Sequence, residues 1–166
     1  MEEIRSSTVL PGIREDIELL TRDSETLVGE LSVPAVGKPV TTLIMLHPLP
    51  THGGFMDSHL IRKAANRLPT LIGAAVLRFN TRGTISPRGT SSGQFSDGVE
   101  ESEDVAAAVK FCLDRGLPTP WLVGWSFGTE LAIKYGPDFE IMGAILLSPP
   151  LHRATDSDLL RWNEFG

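Results

Sequence analysis

LVGWSFGTELAI, residues 122–133, decides how the rest of the chain is read. An apolar run enters a turn, Gly124-Trp125-Ser126-Phe127-Gly128, and a helical pattern leaves it. A strand that turns sharply into a helix at Gly-x-Ser-x-Gly is the setting of a nucleophile elbow, in which the serine hydroxyl is lifted above the C-terminal edge of a sheet. Gly124 and Gly128 then flank a serine in strained backbone geometry, where larger side chains would crowd the neighbouring strand and helix. The helix N-terminus beneath Ser126 favours negative charge developing there. A plainer reading competes, because serine is a preferred N-cap and Ser126 could simply cap the helix. The motif alone decides little; the strand before it and the helix after it favour the nucleophile.

Outward from this corner the pattern is regular. IELLTRD (17–23) and TLVGELSVP (26–34) read as two short strands around a polar turn. VTTLIMLHP (40–48) and AAVLRFN (74–80) are apolar strands of the kind buried on both faces. Between them a helix starts near Asp57-Ser58, with Asp57 as its expected cap, and Pro69 is expected to end it. Residues 81–97, rich in Gly, Ser, Thr and Pro, read as a surface loop. Ser96 or Asp97 can cap the next helix, whose apolar face is Val105, Val109, Cys112 and Leu113 and whose stop is Gly116. PWLVGW, a short helix over 126–135 and the strand MGAILLS (142–148) follow. Strands alternating with helices predict an α/β fold: a mainly parallel sheet with an N-terminal antiparallel hairpin at one edge and helices on both faces. The whole of 1–166 reads as a single α/β domain with its core in about 16–150, residues 151–166 beginning a lid or a following connection.

The totals narrow the function. A chain of 166 residues, 41% hydrophobic and 22% charged, has the composition of one globular domain. Its net charge of −6 argues against nucleic-acid or anionic-membrane binding. The acidic start MEEIRSST has no apolar leader region, and no stretch approaches the roughly 18 apolar residues of a membrane span. The lone Cys112 cannot form an internal disulfide, which suits a reduced, cytoplasmic protein. Neither G-x-G-x-x-G after the first strand nor a Gly-Lys-Ser/Thr loop is present, so no nucleotide cofactor is expected. His47, His52 and His59 match no helical or hairpin ligand spacing, so no metal is expected either.

HPLPTHGGFMD (47–57) follows the third strand. Acyl transfer needs N–H donors aimed at the oxyanion. One would be the amide of Phe127, next to the nucleophile, and the other should come from this loop. Pro48 and Pro50 have no N–H, which leaves Leu49 as the donor in the tight part of the turn. His47 would shape the same loop. Together with RFNTRG (78–83), SSGQF (91–95) and GWSFG (124–128), this loop resembles a bacterial branch of the alpha/beta-hydrolase superfamily, with the motifs in the family's order over about 27–150. Leu49 stands where relatives often have a second histidine, and the stretch TISPRGTSSG is longer than the family's usual form.

The resemblance implies a serine hydrolase acting on small ester or acyl substrates through an acyl-enzyme on Ser126, with a histidine as base and an acid to orient it. Trp125 would line the acyl pocket, although core packing explains it equally well. In the family the order is Ser, acid, His, the latter two after a seventh and an eighth strand. Their positions are therefore expected beyond Gly166, the final strands being absent from 1–166. Only His152 follows the serine here, and Glu140, the acid that would preserve chain order, is expected at the opposite sheet end. Without further strands, 142–148 would be an open apolar edge favouring self-association. The alternative is a degenerate hydrolase-fold protein with a binding or assembly role. Arg78 and Arg82 could hold an anionic substrate; structural hydrogen bonding is the favoured reading.

Overall fold

Alternation of polar and apolar residues between Ile13 and Val33 builds an antiparallel pair in the computed structural model, which describes residues 3–165. β1 (Ile13–Leu20) and β2 (Thr26–Val33) pair from Ile13↔Val33 to Leu20↔Thr26. β1 starts at Ile13 rather than Ile17 and stops short of Thr21. As an edge strand it pairs through its backbone while Arg14, Glu15 and Asp16 face solvent. Then come β3 (Thr41–Leu46), α1 (His59–Ile72), β4 (Ala74–Phe79), β5 (Ile85–Ser86), β6 (Gly89–Thr90), α2 (Glu101–Asp114), β7 (Pro120–Trp125), α3 (Phe127–Tyr135), β8 (Gly143–Leu147) and α4 (Asp156–Leu160). The six-stranded sheet runs β1-β2-β4-β3-β7-β8, with β4, β3, β7 and β8 parallel and the opening hairpin antiparallel at one edge. The expected α/β architecture is the observed one.

β3 shows why its sequence is apolar throughout. Leu43 and Met45 pack with Ile61 and Ala65 of α1 on one face. Ile44 and Leu46 pack with Val105, Val109 and Cys112 of α2 and Leu131 of α3 on the other. Helices cover both faces, so alternation disappears. β8 is the last strand of the sheet, and its Ile145 and Leu146 are exposed.

Several local expectations are corrected. Pro69 does not end α1: it lies buried in the last turn, where its ring removes only its own N–H bond, and the helix runs on to Ile72. The stop is Gly73, left-handed at φ 66°, whose N–H returns to Leu68 O. Asp57 does not cap α1 either. Ser58 holds the N-cap position, while Asp57 pairs with Arg78 and, at 3.0 Å, with Arg88. Residues 81–97 are not simply a surface loop. They contain the β5–β6 hairpin, and Thr81, Arg82, Thr84 and Ser91 are buried. Neither Ser96 nor Asp97 is the N-cap of α2, which is Glu100; the Ser96 hydroxyl instead accepts the Glu100 N–H at 2.7 Å.

Arg78 and Arg82 are structural, as expected. Arg78 donates to Glu30 at 2.7 Å across the β2–β4 pair. Arg82 donates from its backbone N–H and from Nε to Asp104 of α2, at 2.8 and 2.9 Å, and from Nη1 to Asp23 at 2.8 Å. Burial pushes the Asp104 carboxyl up to about 6 against the pull of Arg82. Arg82 thereby fastens the end of β4 to α2 and to the β1–β2 turn.

Candidate active site

β3 and β7 lie side by side, with Leu46 opposite Gly124. Whatever leaves β3 therefore sits beside whatever leaves β7, and both exits are at the C-terminal edge of the sheet. The β7 exit is a single residue, Ser126, at φ 53° and ψ −116°, a conformation that costs an L-residue roughly 1–3 kcal/mol. Its N–H donates to Leu147 O of β8 at 2.9 Å, and its carbonyl accepts from Thr129 N–H at 2.9 Å and Thr129 Oγ1 at 2.6 Å. Ser126 occupies the N-cap position, yet its side chain makes no capping hydrogen bond. The plain cap reading thus loses its interaction, and the hydroxyl is left half-buried at the corner.

The flanking glycines are needed for space. A Cβ on Gly124 would lie 2.4 Å from Gly128 O, and one on Gly128 would lie 2.1 Å from Leu46 O. Both obstacles are backbone, so α3 can approach β3 and β7 this closely only without side chains at these two positions. Gly128→Ala is expected to destabilise the fold by about 3 kcal/mol, the upper end of overpacking costs. Urea denaturation measures it; an unchanged midpoint would show that the corner can open.

The β3 exit is fixed by His47, which is 1% exposed. Its Nε2 accepts the Thr81 N–H at 3.1 Å, which leaves the proton on Nδ1 to be donated to Pro48 O at 2.6 Å. Burial pushes its pKa down to about 4, so the ring is neutral at neutral pH. Beyond it, Leu49 precedes a short 3-10 turn, Pro50–His52, and its carbonyl accepts from His52 N–H at 3.1 Å and Gly54 N–H at 3.0 Å. Among the described residues neither the Leu49 N–H nor the Phe127 N–H donates to a protein acceptor. Two unengaged donors thus come from the ends of adjacent strands, one of them directly after Ser126.

Trp125 is half-buried and meets His59 edge to face, with ring centroids 5.1 Å apart, so an aromatic pair stands next to the serine. Phe127 points the other way, into the core, 1% exposed and against Phe95. No histidine is hydrogen-bonded to Ser126 among the described residues. His47 has both nitrogens engaged, His52 and His59 are exposed, and His152 is exposed beyond β8. Glu140 precedes β8, at the opposite end of the strand from Leu147 and Ser126. A Ser126–Glu140–His152 set is therefore not assembled. The described residues hold no group of three or more His, Cys, Asp or Glu side chains suited to a metal ion, and no helix long and apolar enough to cross a membrane. A concavity of about 670 Å³ between Pro137, Glu140, Met142 and Arg161 is lined by none of the site residues.

Two partners near the corner were not visible in the sequence. Thr81 supplies the N–H that orients His47, and Glu130, buried in α3, is bound by Arg153. For Glu130 a signal existed: an acid inside the apolar run of so short a helix must find a counter-charge.

No protein-family model matches the chain, and no curated protein does. Solved structures do. An α/β serine hydrolase from Xanthomonas campestris, described as lacking a lid, is 30% identical over 92% of this chain and 68% of its own, with a TM-score of 0.76. An alpha-beta serine hydrolase homologue from Coxiella burnetii is 28% identical, over 88% of this chain and 66% of its own, at 0.73. An esterase from Pyrococcus furiosus is 26% identical, over 85% and 54%, at 0.71. The chain spans from about half to about two thirds of the length of these proteins. With the elbow and the parallel sheet already in place, that likeness assigns the chain to the α/β serine hydrolase superfamily.

Proposed function

We propose that this chain carries the nucleophile half of an esterase site that acts on small ester or acyl substrates. The observation that carries the reading is Ser126: a non-glycine residue held at φ 53°, its hydroxyl free of any capping role, at the N-terminus of α3. Ser126 Oγ attacks the substrate carbonyl carbon, and the charge that moves onto the carbonyl oxygen is met by the N–H groups of Leu49 and Phe127. Collapse expels the alcohol, which takes up the proton lost by Ser126, and water then releases the acid from the acyl-enzyme. Trp125 lines the acyl side of the site. None of the described histidines is hydrogen-bonded to Ser126, so no base is assigned among them. Resemblance to the bacterial branch with the His-Pro-x-Pro-x-x-Gly-Gly loop supports the same assignment.

A second reading, a hydrolase fold kept for binding or assembly, is favoured by the absence of a histidine at Ser126. Fluorophosphonate labelling separates the two. The chain is expected to label covalently, and Ser126→Ala is expected to abolish the label. Equal labelling of both proteins would leave the binding reading in possession.

A further inference from the structure

Glu130 is a charge that the proposed reaction does not use. It lies in the first turn of α3, one turn beyond Phe127, and is 1% exposed. Its carboxylate accepts from the backbone N–H of Arg153 and from Arg153 Nη1, the latter at 3.0 Å. Arg153 Nε also donates to Asp97 at 2.8 Å, and the guanidinium lies over the Phe127 ring, 5.2 Å from its centroid. Phe95 meets the same ring at 5.5 Å, so the residue whose N–H faces the oxyanion is gripped by both groups. Arg153 is brought there by the segment after β8, in which Ser148 and Leu151 are left-handed at φ 54° and 53°. Such backbone persists only when something else holds it, and the Arg153 contacts are the anchor.

We propose that Arg153 is a positioning residue for oxyanion stabilisation: it neutralises Glu130 and holds the Phe127 ring, so that the N-terminus of α3 presents undiminished positive potential to Ser126. This rests on the reading of Ser126 as nucleophile. A buried carboxylate one turn into the helix, left without its cation, would repel the charge that the Phe127 N–H must meet. The surroundings offer no replacement. β3, β7 and β8 bring no titratable group to α3. Lys134 on α3 lies over the Tyr135 ring, at 5.4 Å. The N-terminal end of α2 brings Glu101, whose carboxylate accepts from Ser96 and Gly98, and α4 brings Asp156 and Asp158; Asp138 is taken by Arg161.

The test is the second-order rate of fluorophosphonate labelling, in which the Ser126 Oγ–P bond forms, the P–F bond breaks, fluoride leaves and the hydroxyl proton passes to solvent base. Arg153→Met is expected to slow labelling roughly tenfold at pH 8. Adding Glu130→Gln to Arg153→Met is expected to restore the rate to within about threefold of the parent. Glu130→Gln alone should label faster than the parent. An unaffected Arg153→Met rate, a double variant no faster than Arg153→Met, or a slowed Glu130→Gln overturns the assignment. If Arg153→Met does not fold, the other two variants decide. Equal labelling of the parent and Ser126→Ala overturns the nucleophile reading and this inference together, whereas a labelled parent with an unaffected Arg153→Met overturns the inference alone.

Discussion

Replacing Arg82 by methionine is expected to destabilise the protein by about 3–5 kcal/mol, the range for removing one partner of a buried ion pair. Asp104 is the reason. It is fully buried, and Arg82 reaches it through both a backbone and a side-chain N–H. Without the guanidinium the carboxyl must either stay charged in an apolar setting or take up a proton. Burial already pushes it up to about 6, so it will titrate higher still in the variant. A double replacement, Arg82→Met with Asp104→Leu, should recover much of the loss, since the pair can be exchanged for packing. Denaturant midpoints at pH 7 for the two variants are the measurement. A single variant as stable as the parent would show that Asp104 finds another partner.

The second large effect is a pH dependence centred on His47. Its folded pKa is depressed to about 4, whereas an unfolded histidine titrates near 6.5. Above pH 6.5 both states are neutral at this site and the stability is fully present. As the pH falls below 6.5 the unfolded chain binds a proton that the folded chain refuses. Stability is then lost progressively until about pH 4, by about 3 kcal/mol in all. Carboxylates titrate in part of the same window, so the check is a difference: His47→Gln, whose amide can still accept from Thr81 and donate to Pro48, should lose this component. Parallel stability curves for the two proteins between pH 6.5 and 4 would refute it.

The sheet was legible because burial on both faces erases alternation, so TTLIML and AAVLRF could be read as central strands without any contact information. The elbow was legible because its requirements are local: two glycines, a serine, a strand before and a helix after. What sequence reading missed is long-range. Asp57 resembles a helix cap until Arg78 and Arg88 are seen to converge on it. Pro69 reads as a terminator, although a proline in the last turn removes a single hydrogen bond. The β5–β6 hairpin hides in a Gly/Ser/Thr/Pro-rich stretch because two-residue strands have no periodicity to detect. The Arg153–Glu130 contact spans segments that nothing in the sequence links.

The conformation of Ser126 has a bearing on how the chain can change over time. At φ 53° and ψ −116° glycine would sit without the roughly 1–3 kcal/mol that an L-residue incurs. The side chain there makes no capping bond that would offset this. Packing and folding alone would therefore favour drift from serine to glycine at this position. Relatives that keep the fold only for its shape should therefore tolerate glycine at this position, whereas relatives that use the hydroxyl should not.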